Sequence, residues 1–177
     1  MDDRELAHRL AENDDAALEA LVECHYEAIY RFLWRLAGSD EQARELTQES
    51  LLQIRASAGS FRGRSQFRTW ALRIAYRVYA RSRRKRQHDS LTEAILIPDG
   101  QAATLDRIAF EQALLRLTPK LRDAFTLHAL NELSVEETAA VLKVPVGTAK
   151  ARISRARKAL QSQLETEACT HVAIETR

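Results

Sequence analysis

Residues 134–160 read SVEETAAVLKVPVGTAKARISRARKAL, and their punctuation decides the fold. Ser134 with Glu137 three positions on makes a capping box, in which side chains and backbone satisfy each other's free groups at a helix start. The helix it opens is short and ends near Lys143. Lys143, Val144, Pro145 and Val146 form a tight turn, and a second helix begins at Gly147 and Thr148. Helices of about 9 and about 15 residues joined this way have the outline of a helix-turn-helix. At about 100° per residue, Ala149, Ile153, Ala156 and Leu160 share one narrow arc of the second helix, which must face a core. The opposite arc carries Gly147, Ala151, Ser154, Arg155 and Lys158, flanked by Lys150, Arg152 and Arg157. From Thr138 to Leu164 there are six Lys/Arg and no acid. Small residues near a helix start allow close approach to a groove floor, the helix N-terminus and cations meet phosphates, and Lys or Arg can bond guanine edges. The competing reading, a helical hairpin with a solvated basic face, is disfavoured by the turn length, the cap and the acid-free surface.

Working outward, the chain has 177 residues, enough for one ordinary domain or two small ones. Five Gly and three Pro, with 45% hydrophobic and 29% charged residues, leave few helix breakers and many helix formers, which predicts an all-α protein. No apolar run approaches the roughly 18 residues of a membrane helix. The opening MDDRELAHRL is acidic and amphipathic, which excludes a signal peptide and predicts a cytoplasmic protein without membrane insertion. Cys24 and Cys169 lie far apart without ligand-type spacing, so neither a disulfide framework nor a zinc site is indicated. His8, His25, His88, His128 and His171 are scattered, Cys169-Thr-His171 lacks further ligands, and no glycine loop could cradle a phosphate. No catalytic, cofactor or metal site is expected, and the chain is read as a non-enzyme.

Upstream, Leu18, Leu21, Val22, His25, Ile29, Phe32, Leu33 and Leu36 recur at steps of three and four from about Asp15, the repeat of a one-faced helix. Gly38 stops it and Ser39 caps a second helix over about 40–57, with Gln42 in the box position. After the loop 58–65, Phe67, Trp70, Ala71, Ile74 and Val78 mark a third helix whose other positions are largely Arg. Two further helices are predicted over about 104–117 and 119–130, the latter with Thr118 as cap and Pro119 in its first turn. Between the helical groups, QHDSLTEAILIPDGQAA (87–103) holds the turn cluster Pro98-Asp-Gly100 and reads as a linker, although Ile95, Leu96 and Ile97 must pack or bind somewhere.

Charge is segregated along the chain. Residues 1–60 carry 13 Asp/Glu against 6 Lys/Arg, residues 61–88 carry 10 Lys/Arg and no acid, and the remainder is nearly balanced. In the basic block, FRGRSQFRTW (61–70) alternates aromatics with arginines, a pattern suited to single-stranded DNA, whose bases lie on aromatic faces while cations neutralise the backbone. Phe67 and Trp70 are assigned to the core; Phe61, Arg62, Arg64 and Ser65 are the expected contacts.

The order YRFLWRLAGSDEQARELTQESLLQI (30–54), SFRGRSQFRTWALRIAY (60–76) and LLRLTPKLRDAFTLHALNELSVEETAAVLKVPVGTAKARISRARKAL (114–160) resembles an extracytoplasmic-function (ECF) sigma factor of the sigma-70 family over about residues 15–164. The resemblance implies a sigma region 2-like domain (1–87) for core polymerase and the minus-10 element, a linker (88–103), a region 4-like helix-turn-helix domain (104–164) for minus-35, and a tail (165–177). It implies core-polymerase contacts by Arg44, Glu45, Leu46, Gln48, Glu49 and Leu52. Minus-10 contacts fall on Phe61, Arg62, Arg64, Ser65, Arg68, Arg73 and Arg77. Minus-35 contacts fall on Gly147, Thr148, Lys150, Ala151, Arg152, Ser154, Arg155, Arg157 and Lys158. Partners so implied are RNA polymerase core enzyme, promoter DNA and an anti-sigma factor. Three positions depart from the family pattern: Gln42 and Arg44 stand where acids are usual, and Arg77 stands where Asn is usual. A stand-alone helix-turn-helix repressor explains neither the FRGRSQFRTW loop nor the acidic helix, and a sigma-like decoy has no use for the basic face of the last helix.

Overall fold

A computed structural model describes residues 2–86 and 105–175, with side chains described over 2–85 and 106–165. The expected linker at 88–103, with Ile95, Leu96 and Ile97, lies outside these residues, as do the side chains of His88, Cys169 and His171. All regular structure among the described residues is helical, in two compact units, Met1–Ile95 and Leu96–Arg177.

The first unit contains α1 (Asp3–Ala11), α2 (Asp15–Ala37), α3 (Asp40–Ser57), a 3-10 turn (Ala58–Ser60) and α4 (Phe67–Arg86). Sequence periodicity did not mark α1, which is short and is followed by Asn13 in the left-handed conformation, φ 59°. Asp14 then caps α2 by accepting the Ala16 N–H at 2.9 Å. Gly38, φ 77°, ends α2 and donates its N–H to Trp34 O at 2.8 Å, and Ser39 Oγ accepts the Gln42 N–H to start α3. Leu21, Ile29, Phe32, Leu33 and Leu36 of α2 are buried as the pattern requires, with Leu18 and His25 half-buried at its edge and Val22 40% exposed. Asp15, Glu19, Glu23 and Glu27, one turn apart, are all exposed on α2.

Helix α3 turns Ala43, Leu46, Thr47, Ser50 and Ile54 inward. The buried Thr47 and Ser50 hydroxyls donate to the carbonyls of Ala43 (2.7 Å) and Leu46 (2.6 Å), so small polar residues sit in the core with their hydrogen bonds made inside the helix. Helix α4 is packed more widely than its expected single stripe: Leu72, Ala75, Tyr76 and Tyr79 are buried beside Phe67, Ala71, Ile74 and Val78, because α1, α2 and α3 all pack on it. The Tyr79 hydroxyl donates to Leu36 O at 3.1 Å, tying α4 to the end of α2.

The second unit contains α5 (Leu105–Arg116), α6 (Pro119–Phe125), α7 (Val135–Leu142) and α8 (Val146–Glu175). Its core joins Ala113, Leu114, Leu117 and Phe125 to Ala156 and Leu160 of α8, each buried leucine or phenylalanine contributing about 1.5–3 kcal/mol. The helix expected over 119–130 changes after Phe125 into a π turn, Thr126–Leu130, where Asn131 Nδ2 donates to Thr126 O at 2.8 Å and His128 Nδ1 bonds Leu133 O at 2.8 Å. Thr118 stands at the N-cap of α6, yet its hydroxyl makes no capping bond. Helix α8 continues well past residue 164, to Glu175, into the expected tail. The residues after Gly147 contain neither Gly nor Pro, so no breaker ends it.

Candidate nucleic-acid interface

The Ser134 capping box is complete: Ser134 N–H donates to Glu137 Oε2 and Glu137 N–H to Ser134 Oγ, both at 3.0 Å. Lys143 adopts the left-handed conformation, φ 54°, which turns the chain sharply out of α7, and the Val144 N–H donates to Ala139 O at 3.0 Å. Pro145 O accepts the Thr148 N–H at 2.9 Å and the Ala149 N–H at 3.1 Å, starting α8. Ala149, Ile153, Ala156 and Leu160 are all buried, so the arc inferred from spacing is the arc that packs. On the other side Gly147, Lys150, Ala151, Ser154, Arg155, Arg157 and Lys158 are exposed, with Thr148 and Arg152 half-buried at the margins. A Cβ at Gly147 would meet nothing within 4 Å, so the protein's own packing does not require glycine there.

In the first unit the loop after the 3-10 turn reaches α4 through Gly63, φ 66°. Arg62 and Arg64 are exposed and Ser65 is half-buried; on α4, Arg68 and Arg73 are half-buried and Arg77 exposed. Phe61 does not project as a free platform. Its half-buried ring packs on Phe67 (centroids 5.5 Å apart, 75° between planes) and Trp70 (5.4 Å), which stand 5.3 Å from each other. His25 closes this aromatic cluster 5.2 Å from Phe67, and burial pushes its imidazole below the usual pKa; Asp3 opposes that shift and Arg68 adds to it.

On α3, Arg44, Glu45, Gln48 and Leu52 are exposed, Leu52 to 66%, and Glu49 is half-buried in an ion pair with Arg81. Leu46, assigned by resemblance to the polymerase surface, is 3% exposed: it lies on the inward stripe with Ala43, Thr47 and Ser50 and cannot touch a partner without unfolding the helix contact. Arg44 Nε donates to Asp40 Oδ2 at 3.0 Å, and the Tyr30 hydroxyl donates to the other Asp40 oxygen. The two donors hold the Asp40 carboxyl below its usual range, and burial with the Asp40 contact drives the Tyr30 hydroxyl well above its own. Sequence reasoning did not find the open cleft beside Leu52 that Leu10, Ala11, Arg55, Ala56 and Gly59 complete, because it depends on α1.

Two family models match the chain: Sigma-70 region 2 over residues 21–88 and Sigma-70 region 4 over residues 107–160. The chain is 32% identical to the RNA polymerase sigma-H factor of Pseudomonas aeruginosa, over 92% of this chain and 94% of that one. It is 33% identical to the ECF RNA polymerase sigma factor SigC of Mycobacterium tuberculosis, over 93% and 92%. Among solved structures it resembles the sigma factor RpoE of Bartonella quintana, crystallised with the anti-sigma factor NepR, with a TM-score of 0.75 and 28% identity over 83% of this chain and 96% of that one. A helix-turn-helix with an acid-free outer arc, an arginine-rich loop over a helical core and these likenesses together make the chain a member of the ECF RNA polymerase sigma factors.

Proposed function

We propose that the two units divide promoter recognition: residues 1–87 hold core polymerase and the minus-10 element, and residues 104–164 hold minus-35. A sigma factor directs core polymerase to its promoters and starts transcription there. The exposed face of α3 around Glu45, Gln48 and Leu52 docks on core enzyme. Arg62, Arg64 and Ser65, with Arg68, Arg73 and Arg77 behind them, hold the melted minus-10 strand, and Phe61 offers at most the ring face its cluster leaves open. Gly147 to Lys158 enter the minus-35 groove.

The observation that carries this reading is the outer arc of α8, where cations and small residues are exposed directly opposite a fully buried arc and Gly147 has open space around it. Binding and positioning suffice for this task, so no bond-making chemistry is assigned to the chain. Its place is the cytoplasm, where polymerase and promoters are. An inhibitor of the kind that accompanies the Bartonella sigma factor would act by covering one of these surfaces. The test is gel filtration with core polymerase followed by run-off transcription. A sigma factor comigrates with core and yields a new transcript, a repressor binds operator DNA alone, and a decoy does neither with DNA.

A further inference from the structure

Helix α4 begins on a residue poorly suited to capping. Gln66, whose carbonyl accepts the Trp70 N–H at 3.1 Å, holds the N-cap position, and glutamine is not among the residues whose short side chains cap a helix. Its first turn carries no acid. The missing acceptor comes from 64 residues away: Asp3 Oδ2 accepts the Phe67 N–H at 2.7 Å. Asp3 sits in the first turn of α1, whose Leu6, Ala7 and Leu10 are buried in the first unit. One residue on, the Arg4 guanidinium lies over Gly63, so close that a Cβ there would stand 2.5 Å from Arg4 Nε. At the far end of α1, Ala11 meets the 3-10 turn, where a Cβ on Gly59 would lie 3.7 Å from the Ala11 Cβ. Thus α1 touches the entry, the left-handed residue and the exit of the segment 59–67.

We infer that α1 is a brace that holds the minus-10 loop in its reading conformation, with Asp3 a positioning residue acting through the Phe67 N–H and Arg4 through Gly63. The inference rests on the loop's assignment to the minus-10 strand. A carboxylate at the start of α4 meets the positive end of the helix dipole, so it fixes the helix start. Preorganised in this way, the loop does not lose conformational freedom when a melted strand arrives, which is where a brace adds to affinity.

Two measurements on the full chain test it, amide hydrogen exchange and open-complex formation with core polymerase. Asp3→Ala is expected to speed exchange at the Phe67 amide and through the loop, and to lower open complexes on duplex promoter by about fivefold, the effect of losing one helix cap. A pre-melted template should restore the yield, and core affinity should stay within about twofold. Asp3→Asn keeps an acceptor oxygen and removes the charge; recovery of both exchange protection and opening by this variant separates positioning from loss of fold. Unchanged Phe67 exchange in Asp3→Ala overturns the proposal, as does faster exchange with normal opening in an experiment where Arg62→Ala is defective. If Arg62→Ala is itself normal, the loop does not read the strand and both readings fall, whatever the exchange data say of the brace.

Discussion

Arg81 of α4 forms an ion pair with Glu49 of α3, so one of the two acids expected to meet polymerase is already engaged by the basic helix of the same unit. Both side chains reach solvent, Arg81 more than Glu49, and the pair's worth to folding is about 0–1 kcal/mol. Its consequence lies in binding: Glu49 must exchange a partner to bind one.

Replacing Glu45 and Glu49 together by Lys is expected to lower affinity for core polymerase by at least about tenfold if they meet cations across a partly desolvated interface. Circular dichroism must remain unchanged. Arg81→Ala, which releases Glu49, is expected to leave core affinity equal or higher. Normal binding by the folded double variant, read by anisotropy, would remove α3 from the polymerase surface.

In the loop, Arg62→Ala is the sharper probe. Its side chain is exposed, so the variant should keep its melting temperature while losing open complexes on duplex promoter and regaining them on a pre-melted bubble. Phe61→Ala breaks ring contacts worth about 0.5–1.5 kcal/mol beyond burial, so it should also be less stable in urea. Equal failure of Arg62→Ala on both templates would make the loop structural.

For α8, Arg155→Ala is expected to cost about 1–3 kcal/mol and relax preference at one minus-35 position, as the loss of a bidentate base contact does. Arg157→Ala should weaken every sequence alike and lower the salt dependence by about one charge. A promoter-library selection distinguishes them: Arg155→Ala with every preference intact moves that residue to the phosphates, and no change in either variant rejects the helix as reader.

His25 predicts a pH effect on folding. Its native pKa lies below the unfolded value of 6.5, since burial disfavours the charged ring and Arg68 adds to this against Asp3. Below pH 6.5 the unfolded chain takes up a proton that the native ring refuses, so stability falls as pH drops and stops falling once pH passes the native value. Urea titrations at pH 7.5 and 5.5 should show this slope in the wild type and a smaller one in His25→Gln; an equal slope in both would assign it elsewhere.

The α8 faces were legible because a helix reports itself at short range: Ala149, Ile153, Ala156 and Leu160 are small or apolar at fixed steps, and burial follows the steps. Gly38, Ser39 and Ser134 were legible for the same reason, each acting within four residues. What escaped acts at a distance. Nothing in Asp3 announces that it caps a helix starting at Phe67; and of the rings, Phe67 is buried as assigned, whereas Trp70, given the same assignment, is half-buried and Phe61, read as a contact, packs on both. Leu46 was misplaced because the motif that carries it mixes inward and outward positions of one helix. The π turn after Phe125 adds one residue to a turn, which leaves the hydrophobic pattern looking like ordinary helix.

The row Asp15, Glu19, Glu23 and Glu27 sets like charges one turn apart along α2, each adjacent pair opposing the helix by about 0.2–0.5 kcal/mol. Arg31, 2.5 Å from Glu27, relieves the end of the row. Dissolved ions screen that repulsion over a distance of about 10 Å at 0.1 M. The same ions compete for promoter phosphates and loosen the grip on DNA. Ionic strength therefore acts with opposite signs on this row and on the DNA contacts: the salt that loosens the grip on a promoter also relaxes the repulsion along α2.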